Sequence, residues 1–218
     1  MNPIFRNITT LDWVTAILVF SLVLLVISKY FFKMSFSTFL ILPFNTKYFA
    51  LSKKKGKLFN GFHLLITLFQ LLNIALLVFI ANNVLNENPV NTFPSFYWVI
   101  LISILGYLFF KIVLQACNGY FFENLSEMND LIFEKLSYFN YGGLIAFLGN
   151  VIVLYIIPES KVIIYIVLSL ILLVNASGLV TILRNHQKLI VADILYFILY
   201  LCTLEISPLV IVASYLKD

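Results

Sequence analysis

The sequence predicts an all-α fold: a polytopic bundle of about six membrane-spanning helices with short amphipathic interfacial helices, in one domain over residues 1–218. Two observations lead to this prediction. The 218 residues are 62% hydrophobic but only 11% charged, whereas a soluble domain carries roughly 25% charged residues. Most apolar residues also lie in runs of about 20, the length at which an α-helix crosses roughly 30 Å of hydrocarbon. The pattern of an outer-membrane barrel, about ten residues of alternating polarity, is not found.

Six apolar runs give the spans. The first begins at Trp13, and the third begins at Phe96-Tyr97-Trp98, an aromatic group typical of the membrane interface. The connection between the fourth and fifth is too short to be anything but a hairpin of antiparallel helices. The predicted spans are residues 13–32, 62–81, 96–116, 139–157, 162–183 and 191–215.

Two shorter segments lie between the spans. Residues 35–49 are too short to cross a membrane and contain Pro43. Residues 120–137 place Leu125, Met128 and Leu131 at helical spacing, which indicates an amphipathic helix on the membrane surface. Either segment could lie at the interface or dip into the bilayer and return.

The basic residues predict the orientation. Lys53, Lys54, Lys55 and Lys57 form the strongest charge cluster, and residues 184–188 supply a second basic loop. Loops rich in lysine and arginine stay on the cytoplasmic side, so an even number of spans leaves both termini outside. The cluster could also contact anionic lipid or a ribosome. Basic residues are few and stand beside apolar runs, so nucleic acid is not an expected partner and the lipid bilayer is.

The first candidate functional residue is Glu205, near the centre of the sixth predicted span. An ionisable group there costs about 2.5 to 3.5 kcal/mol on insertion scales, so it should face protein or water. Pro208 should kink the helix beside it and could act as a hinge. Lys111, deep in the third predicted span, is the candidate partner of Glu205. A lysine partner favours a structural charge pair, whereas a proton or ion relay requires a carboxyl pKa raised by desolvation.

Amide side chains recur inside the predicted spans and are expected to hydrogen-bond between helices. Small residues around Gly142-Gly143 and Ala176-Ser177-Gly178 indicate close helix contacts, with each other or with another protein. The predicted amides of interhelical packing are Gln70, Asn73, Gln115, Asn150 and Asn175.

The sequence offers no reaction chemistry. His63 and His186 have no ligands at metal-binding spacing, and Cys117 and Cys202 fall in or beside spans. Motifs of serine hydrolases, zinc proteases and nucleotide-binding loops are missing. We therefore expect no metal and no cofactor, and lean against an enzyme without excluding one.

The last predicted span is similar in sequence to part of a known family. The stretch Phe197 to Leu209, FILYLCTLEISPL, resembles the closing signature of an uncharacterised multi-pass membrane family of Bacteroidota, the domain of unknown function 4271. Tyr141-Gly142-Gly143 before a late hairpin is similar too. The resemblance implies an inner-membrane location in a didermic bacterium, with both termini periplasmic, and it directs attention to Glu205 and Pro208.

Three functions are compatible with the sequence. The first is a non-enzymatic inner-membrane subunit or assembly factor of a larger envelope complex, such as secretion, protein translocation or motility machinery. The second is a small proton- or ion-coupled transporter that titrates Glu205 and hinges at Pro208. An enzyme acting on lipid comes last, because no nucleophile–base pair or metal ligand set is visible.

Overall fold

A computed structural model describes residues 12–42, 61–85, 94–121, 125–158 and 160–185, and these residues form an all-helical bundle. Five of the helices are long and apolar enough to cross a membrane, which confirms the predicted fold class. The sixth predicted span, residues 191–215, lies outside the described residues. The helices are α1 Asp12–Phe31, α2 Lys33–Leu40, α3 Gly61–Leu85, α4 Pro94–Phe121, α5 Leu125–Val151 and α6 Lys161–Asn185.

Helix α3 is the centre of the bundle and packs against α1, α4, α5 and α6. In its most apolar stretch 56% of the residues are buried, against 6% in α4 and 17% in α6. Because α3 is surrounded by protein, it can carry polar side chains that a lipid-facing helix could not. Of the described helices, α4 and α6 bury the smallest shares of their residues and present large apolar side chains such as Trp98, Phe109 and Leu173.

Ring contacts and hydrogen bonds give the direction of each helix. Trp13 of α1 contacts Phe79 near the end of α3, and Phe32 contacts Phe62 near its start, so α1 and α3 are antiparallel. Helices α3 and α5 are parallel, since contacts between them advance together along both helices from His63–Phe133 to Phe69–Phe147. We call the two ends of the bundle the His63 end and the Trp13 end.

Helix α2 returns the chain to the bundle at the His63 end. Phe36, Phe39 and Leu42 are buried there, and the Phe39 ring lies 5.8 Å from the rings of both Phe62 and Tyr141. The first half of the predicted 35–49 segment is therefore packed on protein. The rest of that segment lies outside the described residues.

Helix α5 differs from its prediction at its start. Instead of a surface segment that ends at residue 137 and a span that begins at 139, one helix runs from Leu125 to Val151. Ile132 and Phe133 are buried against neighbouring helices, so their helical spacing reflects contact with protein. Apolar spacing on one face indicates a buried face without saying whether lipid or protein covers it.

A five-residue π-helical turn, Ile152–Ile156, ends α5, with the Ile157 N–H bonded to the Ile152 carbonyl at 2.9 Å. Pro158 follows, has no N–H and crowds the preceding turn. Ile157 accordingly has an extended backbone, φ −132° and ψ 83°, as residues before proline prefer. Helix α6 then returns antiparallel to α5.

Glycines set the distance between α5 and its two neighbours. A Cβ on Gly143 would lie 2.7 Å from the Gln70 Cα, and one on Gly149 would lie 2.6 Å from a Val167 methyl. On α6, a Cβ on Gly178 would lie 2.4 Å from the Tyr138 ring. These three glycines thus let neighbouring helices approach closely inside the bundle, each against a larger residue of the facing helix.

Candidate functional site

The described residues concentrate their buried polar groups between α3 and α5. On α3 these residues are separated by four, three and three positions, so they share one face of the helix. Because α3 and α5 are parallel, polar side chains that are further along α5 lie beside those that are further along α3. This row, which we call the polar file, consists of the half-buried Thr67 and the buried residues His63, Gln70, Asn73, Ser137, Asn140 and Asn150.

The polar file begins with a chain of hydrogen bonds at the His63 end. Asn140 Nδ2 donates to Thr67 Oγ1 at 3.0 Å, and that hydroxyl donates to the His63 carbonyl at 2.8 Å. The His63 ring is buried against Phe133, with 4.9 Å between ring centroids. One turn along α5, Ser137 Oγ donates to the Phe133 carbonyl at 2.7 Å. Helices α3 and α5 are therefore joined by a polar link as well as by apolar packing.

The file ends near the middle of the bundle with a second link. Asn150 Nδ2 donates to the Asn73 backbone carbonyl at 2.9 Å, a bond that crosses from α5 to α3. Asn73 Nδ2 itself donates to the Phe69 carbonyl in its own helix at 2.8 Å. A hydrogen bond between membrane helices contributes about 0.6 to 2 kcal/mol, so each link adds modestly to the packing.

Gln70 lies between the two links and is fully buried. Neither its Nε2 nor its Oε1 has a hydrogen-bond partner among the described residues. An amide without partners costs roughly 2 to 7 kcal/mol in an apolar environment. Further file atoms in the same condition are His63 Nε2, Asn73 Oδ1, Asn140 Oδ1 and Asn150 Oδ1.

Charged residues collect beside the His63 end. Lys111 Nζ lies 5.7 Å from the centroid of the Tyr107 ring on the same helix, and Lys135 of α5 is close enough to interact with Lys111. Glu134 is 3% exposed and lies near Tyr138, which shares a hydrogen bond with Thr181. Two lysines and a buried carboxylate therefore stand at one depth of the bundle.

Several residues predicted from the sequence fall outside the described part of the chain. Glu205, Pro208 and the basic cluster Lys53, Lys54, Lys55 and Lys57 belong to this group. The charge pair of Glu205 with Lys111 therefore stays a prediction.

The predicted packing amides take different roles. Asn150 bonds across helices, whereas Asn175 Nδ2 donates to the Ile171 carbonyl in its own helix at 2.8 Å. Asn175 nevertheless faces α5, since a Cβ on Gly142 would lie 3.6 Å from that nitrogen. Gln115 is buried on α4, on the same helix as Lys111.

Sequence reasoning missed Thr67, Glu134 and Asn140. Asn140 stands one residue inside the predicted fourth span, where a polar residue looks like part of the interface. Glu134 lies within residues 120–137, the predicted amphipathic surface helix, where a charged residue is expected. A usable signal did exist: Thr67, Gln70 and Asn73 recur at helical spacing in an otherwise apolar span.

Within the described ranges no three His, Cys, Asp or Glu side chains come together to hold a metal ion. The site is thus a buried arrangement of amides and hydroxyls with charges at one end. Such groups can bind water, bind ions through oxygen atoms or hold helices together.

Comparisons with known proteins place the chain in a family. No curated protein and no solved structure is similar to this chain. The model of a domain of unknown function, DUF4271, matches residues 14–216, which is nearly the whole chain and includes both the polar file and the predicted Glu205 span. The chain therefore belongs to the DUF4271 family, as the signature in its last span indicated.

Proposed function

We propose that this protein is a non-enzymatic subunit or assembly factor of a larger complex in the inner membrane of a didermic bacterium. Secretion, protein-translocation and motility machinery are the classes of complex that fit a small helical membrane subunit. The His63 end faces the cytoplasm in this proposal, because the basic loops are expected there. Other inner-membrane or envelope proteins would be its partners.

The observation that carries the proposal is the position of Gly106 on α4. Each of the other glycines whose surroundings are described has a side chain within 4 Å of its ideal Cβ position, and Gly106 has none. Glycine costs a helix about 1 kcal/mol relative to alanine, and in membranes it is typically used for close contact between helices. Gly106 has the same role if a helix of a partner protein packs closely against α4 at this position.

The outer surface of α6 supports the same proposal. Ala176 and Ser177 are exposed on that helix, while the neighbouring Gly178 is buried against α5. A second small-residue face is therefore open to another membrane helix. Inside the bundle, by contrast, Asn140 and Asn150 join α5 to α3.

The test is purification of the tagged chain in mild detergent, followed by mass spectrometry. We expect stoichiometric envelope proteins with the native chain and their loss with Gly106→Phe. Folding should be unchanged in that variant, because nothing lies within 4 Å of the Cβ position. Gly106→Ala is the matched control and should keep the partners. Recovery of the native chain alone would contradict the proposal.

The polar file favours a second candidate function, a small proton- or ion-coupled transporter. Here Glu205 would titrate and Pro208 would act as the hinge, with the buried amides lining part of the route. Proton flux measured in liposomes should then fall in Glu205→Gln while the protein stays folded. Flux that is equal in the two proteins would remove this candidate.

A further inference from the structure

The unpartnered atoms of the polar file lie in a row. His63 Nε2, both polar atoms of Gln70 and the Oδ1 atoms of Asn73, Asn140 and Asn150 have no hydrogen-bond partner among the described residues. His63 is 4% exposed and the other four residues are at most 1% exposed. From His63 to Asn73 the row follows α3 for ten residues, about 15 Å at 1.5 Å per residue.

The two ends of the row differ. It starts in the first turn of α3, beside the charged residues Glu134 and Lys135. Beyond Asn73 the buried side chains are apolar or aromatic: Ala75, Leu76 and Phe79 on α3, with Tyr97 and Val153 from the adjacent helices. The row of polar atoms therefore begins beside charged side chains at one end. At the other end it meets a largely apolar layer, in which the Tyr97 hydroxyl donates to the Leu72 carbonyl at 3.4 Å.

A fully buried amide in a lipid-embedded bundle needs hydrogen-bond partners, because hydrocarbon supplies none. Water molecules inside proteins take this role when they can reach two to four polar groups. Gln70 offers a donor and an acceptor at one position, and oxygen acceptors lie on both helices above and below it. The spacing of three or four residues places successive groups about one helical turn apart, which is within reach of bridging waters.

We infer that the polar file is hydrated, and that water enters at the His63 end, reaches the level of Asn73 and stops at the apolar layer. The protein thus contains a water-filled half-path that reaches the middle of the bundle without crossing it. This inference needs neither of the proposed functions and goes beyond both.

The test uses silver ion, which is nearly as small as water, against single cysteines in the full-length protein. Cys117 and Cys202 are first replaced by serine. Ser137→Cys and Asn140→Cys then report on the polar file at positions that are 0% exposed, as the controls are. Ala75→Cys and Ala146→Cys are the matched controls, because both alanines are 0% exposed and lie among apolar side chains.

After silver nitrate treatment in chloride-free buffer, the remaining thiols are counted by maleimide labelling and mass spectrometry. We expect the file cysteines to react at least about tenfold faster than the alanine-site cysteines, since a thiol in apolar surroundings is inert. Equal rates at all four sites would overturn the inference.

Gln70→Met gives an independent measurement, because methionine keeps the side-chain length without the amide. In a hydrated file this substitution leaves Tm unchanged or lowers it, since the amide was already hydrogen-bonded to water. In a dry file it raises Tm, since two unpartnered groups are removed. A rise in Tm would therefore also overturn the inference.

Discussion

The two ends of the bundle are built differently although the same helices form both. At the Trp13 end, Phe79 contacts Trp13, Phe96 and Tyr97, with ring centroids 5.2 to 6.5 Å apart. At the His63 end, amides and hydroxyls stand among the aromatic rings and join α3 to α5. The difference indicates that one end depends on shape and size while the other depends on particular polar groups.

Removal of a ring at the Trp13 end should give the largest effect. Phe79 is 5% exposed, and Phe79→Ala leaves a cavity among the surrounding rings. We expect a loss of about 3 kcal/mol, the lower end of the range for buried Phe→Ala. Reversible unfolding in mixed micelles measures it.

The matched control for this prediction is Phe109→Ala on α4, where the ring is 68% exposed. That variant should lose little stability, because its ring contacts mainly the surrounding lipid or detergent. Equal losses at the two positions would contradict the idea that aromatic packing determines the stability of the Trp13 end.

The next largest loss of stability should come from a change at Gly143, where α3 and α5 are in close contact. In Gly143→Ala the new Cβ would lie 2.7 Å from Cα and Cβ of Gln70, so the helices must separate. Gly106→Ala adds the same methyl group where no atom lies within 4 Å. Both changes share the gain in helix propensity, and overpacking costs about 1 to 3 kcal/mol. Gly143→Ala should therefore be about 2 kcal/mol less stable than Gly106→Ala in the same unfolding assay, and equal stabilities would show that the crossing is loose.

The comparison also explains what the sequence could and could not predict. Apolar runs of about 20 residues depend only on the solvent, so the helices α1, α3, α4 and α6 were predicted within a few residues. The start of α5 was not, because residues 125–138 alternate polar and apolar groups in the way that a surface helix does. Only the tertiary contacts show that Glu134 is covered by protein.

The same limit applies to the candidate site. The sequence marks Gln70, Asn73 and Asn150 as polar groups inside spans, but a hydrogen-bond partner depends on which helix lies beside which. Asn150 reaches the Asn73 carbonyl because α3 and α5 are parallel and close at Gly143. Asn175 of α6 bonds to its own helix. Hydropathy predicts how deep a residue lies in the membrane, but it does not predict which residues of other helices it contacts.

The smallest loss of stability should come from removal of the hydrogen bond between Asn150 of α5 and the Asn73 carbonyl of α3. Asn150→Leu keeps the volume and removes the donor to the Asn73 carbonyl, at a cost of about 1 kcal/mol for one interhelical bond. Asn175→Leu removes an amide that bonds within its own helix and should cost less. If Asn150→Leu instead proved as stable as the native protein, the bond to the Asn73 carbonyl would add nothing to the apolar packing of α3 on α5. The Asn140–Thr67 bond would then be the remaining described polar link between the two helices.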